Sequence, residues 1–234
     1  DRSPSRGLGD VYKRQDIDEL KKLAHQYSAT INEFLSTVYL KVMINEKRHD
    51  NKQQKRPVKL SVPVNLRKYY PTKTMRNFSQ YLNYEVPVNK EDGNFAMLLS
   101  IVKEQSKNIN AEHFQQMINT NIRSERNFFV RIMPLAIKDP VLKVFYNRVG
   151  ERLFTSTLSN LGVCELPEEL NEKISNFHFI LGATKLNRIN LTAVTFNGKC
   201  SITFSSRLVE RRVIREFFKT LTDIGLKVEI YSNI

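Results

Sequence analysis

The spacing of apolar residues changes several times along the chain, and each change marks an element. From Asp16, the residues Ile17, Leu20, Leu23, Ala24 and Tyr27 recur every three or four positions, which predicts a helix. Ser28-Ala29 breaks it. Thr30-Ile31-Asn32-Glu33 then reads as a capping box, in which a hydroxyl and a carboxylate serve free amides at a helix start. The helix that follows carries Phe34, Leu35, Val38, Val42 and Met43 on one broad face, and polar residues from Glu46 to Arg56 make a loop. At Val58 the period becomes two: Val58, Leu60, Val62, Val64 and Leu66 alternate with Lys59, Ser61, Pro63 and Asn65, the pattern of a half-buried strand. Pro63 has no amide donor, so an edge or a bulge is expected there.

Beyond a loop to Thr74, Tyr81–Val88 predicts a second strand. Gly93 to about Asn121 predicts one long helix with Phe95, Leu98, Leu99, Val102 and Ile109 inward, and Asn127–Val149 one or two more, interrupted by Pro134 and Pro140. Leu153–Val163 predicts a strand, and Pro167-Glu168-Glu169 a short helical turn. Phe177, Phe179 and Leu181 alternate like a strand. Ile189–Thr195 and Lys199–Phe204 flank Asn197-Gly198, a strong hairpin signal because both central residues of a type I′ turn need positive φ. Val209–Thr222 predicts the last long helix, and Lys227–Tyr231 a final strand. The fold class is α/β (α+β), a mixed sheet backed by helices, with no internal repeat.

Composition narrows the function classes. The 234 residues, 41% of them apolar, suffice for a folded core, and no stretch reaches the roughly 18 apolar residues of a membrane span. Two cysteines, Cys164 and Cys200, make neither a disulfide framework nor a Cys-rich zinc site, which points to a cytoplasmic protein. Cys164 is expected to be a small buried residue. The net charge of +13 favours an anionic partner. Its cations gather at Lys41–Lys59, at Arg67, Lys68, Lys73 and Arg76, and at Arg207, Arg211, Arg212 and Arg215, with Tyr69 and Tyr70 placed to stack on a base. No nucleic-acid motif accompanies them, so nucleic acid is disfavoured and the phosphates of a cofactor-sized donor explain the same charge.

Catalytic signatures are missing from the sequence. His25, His49, His113 and His178 are isolated, and no HExxH, GxSxG, P-loop or GxGxxG motif is present. Glu168 and Glu169 sit where a solvated helix start explains them.

Four segments together carry a resemblance: ATINEFLSTVYL (29–40), VPVNLRKYYPTKTMRNF (62–78), TSTLSNLGVCELPEEL (155–170) and FNGKCSITFSSRLVERRVIREFF (196–218). From Asp16 onward the chain resembles the C-terminal lobe of the CoA-dependent acyltransferase superfamily. That superfamily includes chloramphenicol acetyltransferase, condensation domains and alcohol O-acetyltransferases, and the likeness is notable to bacterial alcohol acetyltransferase-like proteins. The resemblance implies half of a two-lobed chloramphenicol acetyltransferase-like fold with a tunnel between lobes. It further implies transfer of an acyl group from acyl-CoA, or an acyl carrier protein, to a small alcohol or amine.

In the family a histidine of the motif HHxxxD, on the N-terminal lobe, is the general base, and that motif is absent here. No catalytic residue and no permanently bound cofactor or metal is therefore expected in this chain; acyl-CoA is a co-substrate, and the missing N-terminal lobe of the same protein is a partner. Arg67, Pro71, Asn77 and Phe78 follow the family's pattern before a strand, with Arg76 where glycine is expected. Ser159, Asn160 and Gly162 match its SNLG-like strand end. The tunnel residues implied are thus Arg67, Asn77, Phe78, Ser159, Asn160 and Gly162, with Ser159 or Asn160 positioning the thioester or acceptor.

Residues 1–15 stand apart, without apolar periodicity. Asp10–Gln15, DVYKRQ, resembles the translation of a transposon end used in sequencing libraries. Residues 1–15 are expected to be a sequencing-adapter or other non-native segment, and residues 16–234 the C-terminal lobe of a truncated acyltransferase, inactive alone. The alternatives are a non-catalytic condensation-like binding or assembly module and a basic RNA-binding protein.

Overall fold

The computed structural model describes residues 9–48, 56–88, 94–107, 109–126, 128–145, 154–184, 187–208, 211–227 and 229–232. Outside them lie His49, Gly93, Asn127, Leu153, Val209 and residues 146–149, all of which figured in the expectations above.

In chain order the elements are β1 (Gly9–Asp16), α1 (Ile17–Gln26), α2 (Ile31–Arg48), β2 (Val58–Asn65), a 3-10 turn (Leu66–Lys68), β3 (Ser79–Val86), α3 (Phe95–Lys107), α4 (Ala111–Glu125), α5 (Phe128–Ile132), α6 (Leu135–Phe145), β4 (Ser156–Val163), α7 (Glu168–Asn171), β5 (Ile189–Phe196), β6 (Lys199–Ser206), α8 (Arg212–Asp223) and β7 (Glu229–Ser232). The strands form one sheet in the order β3-β2-β4-β5-β6-β1-β7. Strands β2, β4 and β5 run parallel, and the remaining pairs are antiparallel. The mixed α/β class stands.

Helices α1, α2, α3 and α8 pack on one face of this sheet, against Val58, Leu60, Leu158, Leu191, Ile202 and Phe204. The capping box forms as expected: Thr30 N–H donates to the Glu33 carboxylate at 2.8 Å, and Glu33 N–H to the Thr30 hydroxyl at 3.2 Å. Ser28 takes φ 51°, which ends α1. The single broad face expected for α2 is an underestimate. Ser36, Thr37, Leu40 and Ile44 are buried too, because α2 is enclosed by the sheet, α3 and α8. Tyr39 of α2, Phe204 of β6 and Phe217 of α8 meet edge to face, with ring centroids 5.1 to 5.9 Å apart. On α8, Val213, Ile214, Phe217, Phe218 and Leu221 are all buried, each contributing about 1.5–3 kcal/mol of transfer free energy.

The hairpin is also as expected. Asn197 and Gly198 have φ 48° and 72°, and β5 pairs with β6 along its full length. Several expectations need correction. The long helix from 93 to 121 is two helices, because the Asn110 side chain accepts the His113 N–H at 2.7 Å and starts a new one, leaving Ile109 in the break. At Pro63 there is no bulge, since β2 pairs with β3 without a register shift, but the ladder with β4 involves only Leu60 and Ser61, so β2 has an open side at the proline. The alternating run at Phe177–Leu181 is not a strand; its carbonyls bond to side chains rather than to a ladder, as described below. Cys164 is half-exposed rather than buried, because it follows the bulged end of β4.

Strand β1 was not expected. It lies between β6 and β7, and its ladder uses backbone groups alone, so its placement does not bear on the origin of residues 1–15.

Candidate functional site

Since β2, β4 and β5 are parallel, their C-terminal ends lie at one edge of the sheet, where open α/β sheets commonly bind ligands. Both groups of expected site residues belong to that edge: Arg67, Asn77 and Phe78 follow β2, and Ser159, Asn160 and Gly162 end β4.

The loop after β2 is held from within. Asn65 caps the 3-10 turn by accepting the Arg67 N–H at 3.0 Å, and Leu66 N–H closes the loop on the Phe78 carbonyl at 3.0 Å. Arg67 donates from one guanidinium nitrogen to the carbonyls of Thr74 and Arg76, at 3.0 and 2.8 Å. Arg67 is therefore a loop clamp, and Arg76, standing where the resemblance expects glycine, supplies one of the clamped carbonyls. Asn77 accepts the Ser79 hydroxyl at 2.8 Å, and the half-buried Phe78 ring lies 6.5 Å from Tyr70. Tyr69 packs on the buried Phe114 ring at 5.0 Å, and the Tyr70 hydroxyl donates to the Ala111 carbonyl. Both tyrosines thus anchor the loop to α4, and neither is presented for stacking on a base.

Ser159 and Asn160 are neighbours on opposite faces of the sheet, as strand geometry requires. Asn160 shares the helix-facing side with Leu158. Its amide donates to the Asn32 side-chain oxygen at 2.8 Å, and its own oxygen accepts the Gly162 N–H at 2.9 Å. Gly162, at φ 78°, forms the bulge between Asn160 and Val163. Asn160 is thereby committed to fixing the strand end against the first turn of α2.

The other face is polar, which sequence reasoning missed. Ser61, Thr157, Asn190 and Ser205 align across β2, β4, β5 and β6; one step further along, Ser159, Thr192 and Thr203 align across β4, β5 and β6. The signal was present in β5 itself, where Asn190 and Thr192 alternate with Ile189, Leu191 and Ala193. An extended segment covers part of this face. The hydroxyls of Thr192 and Ser205 donate to the carbonyls of Phe179 and Leu181, and the Asn190 amide donates to the Gly182 carbonyl at 3.0 Å. Phe177 rests on Phe196, centroids 6.0 Å apart. Ser159 lies beside Thr192 in this row, is 7% exposed, and its hydroxyl has no hydrogen-bond partner among the described residues. Of the six expected residues, Ser159 is thus the one whose polar side chain makes no hydrogen bond among the described residues. Among the described residues no hydrogen bond joins the 67–78 loop to residues 159–162.

A buried relay supports β4 from the helix side. Ser156 donates to the Ile189 carbonyl at 2.6 Å and has a single proton, so the Tyr39 hydroxyl, 2.7 Å away, donates to Ser156. Burial raises the Tyr39 phenol far above its ordinary value, against a smaller opposing effect of the Ser156 bond.

Several basic residues have intramolecular partners. Arg212 makes a two-pronged ion pair with Glu46, at 2.7 and 2.6 Å, and Lys59 pairs with Glu85 at 2.7 Å. Lys47 donates to the Pro57 carbonyl at 3.0 Å, and burial lowers its ammonium, with the nearby Arg56 charge adding to the effect. Glu168 and Glu169 are exposed in the first turn of α7. Among the described residues no three His, Cys, Asp or Glu side chains gather as a metal site, and no helix is long and apolar enough to cross a membrane.

No family model matches the sequence, and no curated protein matches it significantly. Solved structures do match the fold. A wax ester synthase/diacylglycerol acyltransferase from Marinobacter aquaeolei VT8 superposes with TM-score 0.53 at 9% identity, over 92% of this chain and 48% of that one. The epimerization domain from the third module of tyrocidine synthetase B gives 0.54 at 13% identity, over 96% and 49%. The first condensation domain of the CDA synthetase gives 0.52 at 12% identity, over 95% and 48%. The chain therefore spans about half the length of these structures and has the fold of condensation domains and of a wax ester synthase over that half.

Proposed function

We propose that the chain is the C-terminal lobe of an acyltransferase, truncated relative to its parent. The parent moves an acyl group from a thioester, acyl-CoA or an acyl carrier protein, to a small alcohol or amine in the cytoplasm. The observation that carries this reading is the fold shared with condensation domains and a wax ester synthase, each matched over about half its length.

In this reading the acceptor oxygen or nitrogen bonds to the acyl carbon, the carbon–sulfur bond breaks, and the acceptor proton passes through a base to the leaving thiolate. The resemblance implies that the base is a histidine of an HHxxxD motif on the other lobe, a motif absent from this sequence. Ser159 supplies a free hydroxyl at the ligand-binding edge and orients the thioester or the acceptor. Asn160, Gly162, Arg67, Asn77 and Phe78 shape the wall from behind rather than touching the reacting atoms.

The experiment is to restore the native upstream lobe and follow thiol release from acetyl-CoA with a panel of short alcohols and amines. Turnover by the restored protein, lowered about tenfold by Ser159→Ala through lost positioning, supports the reading. Turnover by this chain alone above a no-protein control, or none by the restored protein with CoA or carrier-protein donors, overturns it.

A further inference from the structure

We propose that α5 and α6 form an arm that docks on an anionic membrane surface. Leu135, Ile137, Val141, Leu142 and Val144 of α6 are each 50 to 71% exposed, and Phe128 and Ile132 of α5 are 69 and 61% exposed. At 3.6 residues per turn, the five α6 residues fall on one half of the helix circumference, with Asp139 and Lys143 on the other. This is an amphipathic helix with its apolar half turned to solvent. Soluble surfaces rarely leave so much contiguous apolar area uncovered.

The charge on the arm identifies the occupant. Arg131, Lys138 and Lys143 stand on it against one carboxylate, Asp139, and none of these three cations is ion-paired among the described residues. Lys138 sits within the apolar half. A protein partner would have to bury that ammonium in the contact centre, where lysine is depleted. A bilayer instead accepts the apolar side chains between its headgroups and lets the lysine stem reach up to the phosphates. The helix has 11 residues, about 16 Å of rise, roughly half of a hydrocarbon core, so it lies in the interface and does not span it.

The test is sedimentation of the chain with vesicles of phosphatidylcholine alone and of equal parts phosphatidylcholine and phosphatidylserine. The expected result is binding to the anionic vesicles that weakens as salt rises. Binding should fall about tenfold or more in the Lys138→Glu/Lys143→Glu double variant and in Leu142→Asp, and should change little in Lys22→Glu, which alters a charge elsewhere. All these positions are exposed or half-exposed, and circular dichroism confirms folding of each variant. Three results overturn the proposal: equal binding to both vesicles, binding unaffected by the arm variants, or self-association that Leu142→Asp abolishes in a chain that does not bind vesicles. Loss of vesicle binding once the upstream lobe is restored also overturns it, because the arm is then an internal contact.

Discussion

The Asn160 side-chain amide donates to the Asn32 side-chain oxygen at 2.8 Å, joining the end of β4 to the first turn of α2 across 128 residues of sequence. The same Asn160 oxygen fixes the bulge glycine. Asn160→Ala removes both bonds and is expected to destabilise the chain by about 1–2 kcal/mol, with Asn32→Ala at or below about 1 kcal/mol. The double variant should cost less than the sum of the two, since one bond is lost in both. Urea midpoints of the four proteins check this, and strict additivity would show that the pair does not interact.

The hairpin turn gives a test of backbone conformation alone. A Cβ on Gly198 meets no atom within 4 Å, yet the residue sits at φ 72°. Gly198→Ala should therefore destabilise by about 1–2 kcal/mol through the left-handed backbone. Gly182→Ala also meets no atom within 4 Å and has no such φ, so it is expected to stay within about 0.5 kcal/mol of the parent.

How much of this was legible in the sequence depends on the range of the interaction. The Thr30–Glu33 capping box and the Asn197-Gly198 turn are local, and each is satisfied by residues within three positions. The break between α3 and α4 is local too, but it rests on one Asn side chain, a weaker signal than the apolar period running through it. The Phe177–Leu181 segment has the period of a strand and is none. Its carbonyls are taken by hydroxyls of β5 and β6, and no pattern within the segment contains that information. The same limit explains the site. Motif resemblance grouped Ser159 with Asn160, whereas strand alternation places them on opposite faces and only Ser159 is left with an unengaged side chain.

Alkaline pH should expose the buried phenols. Burial raises Tyr39 and Tyr84 above the ordinary 10.0, in Tyr84 against a smaller lowering by the Ser106 bond and with a small further rise from Glu33. The folded protein keeps these protons where the unfolded chain loses them. Their contribution to stability is thus constant below about pH 10 and falls as pH rises beyond it. Tyrosinate absorbance should show Tyr39 ionising only as the protein unfolds and Tyr84 ionising above the ordinary range. Tyr39→Phe should flatten the alkaline loss while lowering stability at neutral pH by about 1–2 kcal/mol, because Ser156 loses its donor.

Arg67 holds its loop through the carbonyls of Thr74 and Arg76, beside the exposed Lys73. Arg67→Ala should speed tryptic cleavage after Lys73 and Arg76 several-fold with a small change in global stability, below about 1 kcal/mol. Arg67→Lys should restore only part of the protection, because a shorter side chain ending in a rotating ammonium replaces the two in-plane N–H bonds of that one guanidinium nitrogen. Cleavage rates equal to those of the parent would show that the clamp does not restrain the loop.

Strand β7 joins the sheet through β1, which in turn lies against β6. The two extremities of the described chain are consequently adjacent in space, and one border of the sheet is assembled from segments more than 200 residues apart. Strand β1 precedes the β5–β6 hairpin in the chain and can pair only once that hairpin is made, and β7 can add only after β1 is in place. Until β1 has paired, the outer edge of β6 stays open to strands of neighbouring chains.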